Sequence, residues 1–180
     1  MADNRRLVDR VVDPTYVEGV TERSDDDLKA MLAESAEAEN EVSFERKLCQ
    51  GRIDILKAEL SRREEGGDTS DLVSRLPQIL AGDEPRSDPG ALPSRAPDFS
   101  IPRNADIPRR RVEEIVGEQT LARLPQLPDE EIGSVISALT EHESNLSARR
   151  KALHEAIEIL QRENIRRMRS GETDPTSALG

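Results

Sequence analysis

Ser24 to Arg63 read SDDDLKAMLAESAEAENEVSFERKLCQGRIDILKAELSRR, and Pro128 to Arg167 read PDEEIGSVISALTEHESNLSARRKALHEAIEILQRENIRR. The two stretches align without a gap. Asp25 matches Asp129, Leu28 matches Ile132, Val42 matches Leu146, and Ile53, Leu56, Glu59 and Arg62 match Ile157, Leu160, Glu163 and Arg166. Neither copy contains an internal proline. Each opens on a helix-start signature: Ser24 before Asp25, Asp26 and Asp27, and Pro128 at a first-turn position before Asp129, Glu130 and Glu131. Acidic side chains there complement the positive end of the helix dipole. Each ends in arginines followed by glycine, at Gly66–Gly67 and at Gly171, which is the composition of a helix C-terminus. The spacing predicts two long helices, over 24–65 and 128–169.

Both helices carry heptads. The d positions are Leu28, Ser35, Val42, Cys49 and Leu56 in the first and Ile132, Leu139, Leu146, Leu153 and Leu160 in the second. The a positions are Leu32, Glu39, Arg46, Ile53 and Leu60, then Ile136, Glu143, Arg150, Ile157 and Asn164. A helix of this size is about 60 Å long. It hides one stripe only, so it needs a partner, and the simplest partner is the other copy. The seam charges decide the orientation. A parallel pair in register sets Glu39 near Glu143 and Arg46 near Arg150, like against like. An antiparallel pair sets Glu39 near Arg150 and Arg46 near Glu143, with a local pseudo-two-fold axis near Val42 and Leu146. The expected fold is therefore all-α: an antiparallel two-helix coiled-coil hairpin with short accessory helices.

The rest of the chain is less regular. Residues 1–23 can form a short helix through Leu7, Val8, Val11 and Val12. Residues 66–108 are rich in Pro, Gly, Ser and Asp and read as a disordered linker, with one helical turn around Leu72–Leu80. Residues 109–127 read as a short amphipathic helix with Val112, Ile115, Val116 and Leu121 on one side. Residues 170–180 read as a frayed tail.

Composition excludes several classes. Aromatic residues are 2% of the chain and charged residues 35%, which suits long helices with disordered connections and not a thick globular core. A net charge of −11 argues against direct nucleic-acid binding, since phosphate contacts need a basic surface. One cysteine, Cys49, allows no internal disulfide. No apolar run suggests a signal peptide or a membrane span, so a cytoplasmic protein is expected. There is no glycine-rich phosphate loop, paired metal-ligand motif or nucleophile elbow, so no enzyme activity and no metal are expected.

A charge in a coiled-coil seam costs stability, and here it occurs twice on each helix. Such pairs can serve only to fix register, as in a ligand-free structural adaptor. The flanking residues point further. Glu39, Ser43, Arg46, Gln50 and Asp54 follow at spacings of four, three, four and four, and Glu143, Ser147, Arg150, His154 and Glu158 repeat the spacing. Each set lies on one ridge of its helix. Guanine suits these groups: Arg can take its O6 and N7 edge or hold phosphate, a carboxylate can accept from N1–H and the exocyclic amine, and Ser can donate to phosphate. A symmetric dinucleotide fits a pseudo-symmetric site.

The pattern Glu39-x3-Ser43-x2-Arg46-x3-Gln50-x3-Asp54 resembles the cyclic di-GMP-binding signature of the RsiG anti-sigma factors, antiparallel coiled-coil proteins of filamentous sporulating bacteria. Single-chain members carry one signature on each helix. The resemblance implies that cyclic di-GMP binds between the helices, in two copies, and that the loaded protein sequesters WhiG, a flagellar-type sigma factor for sporulation genes. Carried across by position, the ligand-binding residues are Glu39, Ser43, Arg46, Gln50 and Asp54 with Glu143, Ser147, Arg150, His154 and Glu158. His154 stands where the signature has Gln, and Glu158 where it has Asp. The expected partners are the dinucleotide and the sigma factor, with no direct DNA binding, no membrane, and a monomer in isolation. A homodimer with a four-helix assembly is the rival to that monomer.

Overall fold

A computed structural model of the protein describes residues 6–66 and 111–171. These are helical. Helix α1 spans Leu7–Val12 and is followed by 3-10 turns at Pro14–Val17 and Val20–Glu22. The long helix α2 spans Asp25–Glu65. Later in the chain come α3, Arg111–Ile115, α4, Glu118–Ala122, a 3-10 turn at Leu124–Gln126, and the second long helix α5, Asp129–Ser170. The linker expected beyond Gly66, its helical turn, and the tail expected beyond Gly171 lie outside the described residues.

The ends of the long helices follow the local chemistry. Ser24 Oγ accepts from the Asp27 amide at 3.1 Å and donates to the Asp27 carboxylate at 2.7 Å, a reciprocal cap for the first turn of α2. At the start of α5, the Pro128 carbonyl accepts from the amides of Glu131 and Ile132, and proline has no amide to leave unpaired there. Gly66 and Gly171 close the two helices at φ +68° and +73°, the left-handed region that costs glycine nothing.

The described residues form two units. One contains residues 6–43 and 147–171, the other residues 44–66 and 111–146. In each, a stretch of α2 runs antiparallel to a stretch of α5. In the first unit Asp25 pairs with Arg167 and Glu39 with Arg150. In the second, Arg46 pairs with Glu143 and Arg63 with Asp129. The order of partners reverses along the chain in both, as the seam charges required.

The d positions are the dry side of the seam. Leu28, Ser35, Val42, Cys49 and Leu56 are buried on α2, and Ile132, Leu139, Leu146, Leu153 and Leu160 on α5. Each fully buried leucine or isoleucine contributes on the order of 2 kcal/mol relative to exposure. This packing, more than helix propensity, holds such helices together. Ser35 satisfies its hydroxyl by donating to the Met31 carbonyl at 2.8 Å. The a positions are wetter: Ile53, Ile157 and Glu39 are buried, but Leu32, Arg46, Glu143 and Arg150 are half-buried.

Cys49 is a packed thiol. It donates to the Leu139 carbonyl at 3.1 Å. Burial, with Glu143 and Glu45 adding to it, pushes its pKa up to about 11. Because the thiolate is the nucleophile, Ellman's reagent at pH 8 should modify the folded protein at less than about a hundredth of the rate seen after unfolding in guanidinium. Equal rates in the two states would mean that the thiol is open to solvent.

The accessory elements cover the seam. In the first unit α1 buries Val8 and Val11, and ion pairs Arg10–Glu34 at 2.8 Å and Arg149–Asp9 at 3.0 Å tie it to the long helices. In the second unit Val112, Val116, Leu124 and Leu127 join Cys49, Ile53, Leu56, Ile132 and Leu139 in one core. Arg52 donates to the Val112 carbonyl at 2.9 Å and pairs with Glu113 at 2.8 Å. The single amphipathic helix expected over 109–127 is, from Arg111 on, two short helices and a 3-10 turn. The break falls at Gly117, whose backbone is extended at φ −86°, ψ 174°, and glycine is a poor helix former. The apolar side was nonetheless read correctly, since Val112 and Val116 are buried and Ile115 and Leu121 pack against them.

The internal repeat is longer than its sequence match. The turn Val20–Glu22 corresponds to Leu124–Gln126, and the start of α1 at Leu7 to the start of α3 at Arg111. Both correspondences hold the same offset as Ser24 and Pro128 (128 − 24 = 104). Val8 and Val112 are both buried, as are Val20 and Leu124.

Candidate functional site

Each unit holds one polar cluster built on a seam glutamate. In the first unit the Glu39 Oε1 atom accepts from Ser43 Oγ at 2.7 Å and from Arg150 Nε at 3.1 Å, and lies 3.2 Å from His154 Nε2. Arg150 Nε also donates to Ser43 Oγ at 3.1 Å. Helix spacing brings Ser43 onto Glu39, one turn away, and the antiparallel register brings Arg150 and His154, also one turn apart, across from α5. Burial pushes the Glu39 carboxyl up. The Ser43 hydroxyl, His154 and Arg150 together outweigh it and hold the group below the usual carboxylate range.

In the second unit Glu143 plays the same part from α5. Its Oε1 accepts from Arg46 Nε at 2.9 Å and from Gln50 Nε2 at 3.4 Å. The two clusters thus share a composition: one carboxylate, one arginine from the other helix, and one further donor a turn beyond that arginine. The donor is Gln50 in one and His154 in the other.

The ten residues singled out from the sequence are divided between the units. Glu39, Ser43, Ser147, Arg150, His154 and Glu158 lie in the first, and Arg46, Gln50, Asp54 and Glu143 in the second. Ser147 and Asp54 are half-buried, and Glu158 is exposed. The five residues of one ridge therefore do not act as a block. Those early in the ridge and those late in it meet different partners on the opposite helix.

Sequence reading missed other polar groups. His142 is half-buried with its Nε2 2.9 Å from Glu45 Oε1, and Glu45 is itself buried. The antiparallel partner brings Glu45 to it, which composition alone does not reveal. Glu59 and Glu163, matched in the repeat but given no role, are buried and hold arginine pairs. Their partners extend the seam: Arg63 and Arg167 stand seven residues after the d positions Leu56 and Leu160.

Every arginine and carboxylate in the two clusters remains within reach of solvent, with side-chain exposures from 11% at Glu39 to 39% at Arg150. Such half-buried donors and acceptors can exchange one another for a polar ligand without stranding a charge in a dry core. No described helix is long and apolar enough to cross a membrane.

Among protein families, the RsiG-like family matches the chain over residues 14–80, a stretch that contains the first copy of the motif. The match supports an RsiG-type anti-sigma factor. No curated protein matches the chain.

Proposed function

We propose that this protein is an anti-sigma factor whose hold on its sigma factor depends on cyclic di-GMP, bound at the two seam clusters, and that its target is a flagellar-type sigma factor of the WhiG class controlling sporulation genes. The observation that carries the reading is the duplicated cluster: Glu39 with Ser43, Arg150 and His154 in one unit, Glu143 with Arg46 and Gln50 in the other. Guanine presents two acceptors on one edge and two donors on another. Arg46 and Arg150 offer the fork for the first edge, and Glu143 and Glu39 the acceptors for the second. A guanine entering a cluster takes the place of the direct Arg–Glu contact and leaves both ends paired. Two dinucleotides are the expected load, and these contacts require no metal. Ligand that favours the sigma-competent arrangement of the helices shifts its population, which is all a switch needs.

The match to the RsiG-like family supports the partner, and the arginine–carboxylate chemistry supports the ligand. One observation favours a second reading. Arg46–Glu143 and Arg150–Glu39 already satisfy each other across the seam, which is what register pins in a ligand-free structural adaptor would do.

Calorimetric titration separates the two. Cyclic di-GMP should bind the purified chain, while cyclic di-AMP binds at least about 100-fold more weakly, because adenine lacks the O6 acceptor and N1 donor and would leave buried polar groups unpaired. Equal binding of both, or of neither in the presence of the sigma factor, removes the ligand reading and leaves the pins.

A further inference from the structure

The two copies of the repeat agree on their inward faces and disagree on one outward face. Glu59, Arg62 and Arg63 of α2 recur as Glu163, Arg166 and Arg167 of α5. On the neighbouring positions α5 carries Arg162, Ile165 and Arg169 where α2 has Ala58, Ser61 and Glu65. These three substitutions go toward positive charge and apolar surface, while Lys57 gives way to the neutral Gln161.

Arg162, Ile165, Arg166 and Arg169 follow at spacings of three and four and so form one strip on the last turns of α5. With Glu158 and Gln161 they line an open groove of about 530 Å³ in the first unit. Ile165 is 48% exposed, and no other large apolar side chain among the described residues is classed as exposed. Arg166 directs Nε and Nη2 to Glu163 and keeps about half of its side chain in solvent. On a chain of net charge −11, three arginines around an exposed isoleucine reverse the local sign. A lone exposed isoleucine carries little by itself; here it sits in a groove among arginines, and that combination makes the strip a contact surface.

We infer that this face docks an acidic segment of the partner protein, with an apolar side chain seated on Ile165 and carboxylates on Arg162 and Arg169. Charge complementarity selects the class: carboxylates meet the arginines of the strip, and a short acidic segment confines the contact to it, away from the acidic remainder of the chain. Nucleic acid fits poorly, because three arginines on a strongly acidic chain with no aromatic at the groove give neither a phosphate track nor a stacking platform. The asymmetry has a purpose under this assignment. A single partner chain has no two-fold symmetry, so a surface made for it must differ between the two copies, and this face does. The identification of that partner as the sigma factor rests on the function proposed above.

The test converts the face into its counterpart. The triple variant Arg162→Ala, Ile165→Ser, Arg169→Glu gives α5 the residues α2 already has. With cyclic di-GMP saturating, its affinity for purified WhiG-type sigma factor should fall at least about 30-fold, with cyclic di-GMP affinity and melting temperature unchanged. Wild-type affinity for the sigma factor in the triple variant overturns the inference. Should the wild-type chain fail to bind the sigma factor, the proposed function fails, and a second measurement still decides the docking face. In it, NMR follows the full chain during addition of an acidic amphipathic helical peptide of Glu and Leu. Shifts at residues 162–169 that the triple variant lacks support the face. No shift there, tighter binding of a DNA duplex at the same residues, or self-association that the triple variant abolishes overturns it.

Discussion

Arg150→Ala should weaken cyclic di-GMP binding at least about 100-fold, close to 3 kcal/mol, and Arg46→Ala should do the same from the other unit. Two effects add. The fork that reads the guanine edge is lost, worth about 1–3 kcal/mol for a bidentate contact. The carboxylate opposite is also left without its cation. For Glu39 this second effect is the sharper, since its side chain is 11% exposed and Arg150 is one of three donors that offset its burial. Arg150→Lys keeps the charge and loses the planar fork, so it should fall between wild type and alanine. Lys151→Ala, one residue along on an exposed side chain, should change nothing. Isothermal calorimetry on wild type and the four variants checks the series. Wild-type affinity in Arg150→Ala would show that the arginine does not touch the ligand.

The same cluster has a pH signature. Glu39 is held below the usual carboxylate range, so its folded form binds protons less readily than the unfolded chain. Its contribution to stability is complete above the unfolded carboxylate pKa and is lost as pH falls through the folded value.

Removing the buried clasp at Glu163 should cost the most stability of any single polar change. Arg167 is buried and bonds four ways: Nε to Glu163 at 2.7 Å, Nη1 to Asp25 at 2.6 Å, and Nη2 to the carbonyls of Val20 at 3.0 Å and Thr21 at 3.5 Å. Glu163 also holds Arg166 at 2.8 Å. The clasp thereby fastens the end of α5 to the start of α2 and to the 3-10 turn before it. In the second unit Arg63 does the same with Glu59, Asp129 and the carbonyls of Leu124 and Leu127. Breaking a buried charge network by removing one partner costs on the order of 3 kcal/mol, so Glu163→Ala should lower the melting temperature by about 10 °C for a chain of this size. Hydrogen bonds from Arg166 and then Arg167 pull the Glu163 carboxyl down to about 2. Its folded pKa is depressed, so the stabilisation is whole above about 4.5, the ordinary carboxylate value, and drains away as pH falls toward 2. Thermal melts from pH 7 to pH 2 should show wild type and Glu163→Ala far apart at neutral pH and converging in acid. A constant gap across that range would assign the loss to packing and not to the carboxylate.

The long helices, their antiparallel sense and the cross-pairs Glu39–Arg150 and Arg46–Glu143 were legible in the linear order of residues. Heptad spacing fixes which stripe must be covered, and like charges exclude the parallel alternative, so nothing beyond local periodicity and Coulomb's law was needed. The duplicated Glu-x-x-Arg-Arg was visible as a match but mute as to purpose. A glutamate and two arginines near a helix end look like solvated surface until something covers them.

Tertiary structure supplied the cover. The turns before α2 and α5 bring backbone carbonyls to Arg167 and Arg63, and backbone groups carry no sequence signal of their own. Weak similarity hid the rest of the repeat, where Val20 answers to Leu124 and a 3-10 turn answers to a 3-10 turn. What the chain alone determined was the pairing of its helices, because periodicity and charge act along one axis. What only the folded protein decided was the division of each motif between two clusters and the burial of its end clasps. Both depend on which residues of the opposite helix arrive across the seam, and that is a property of packing.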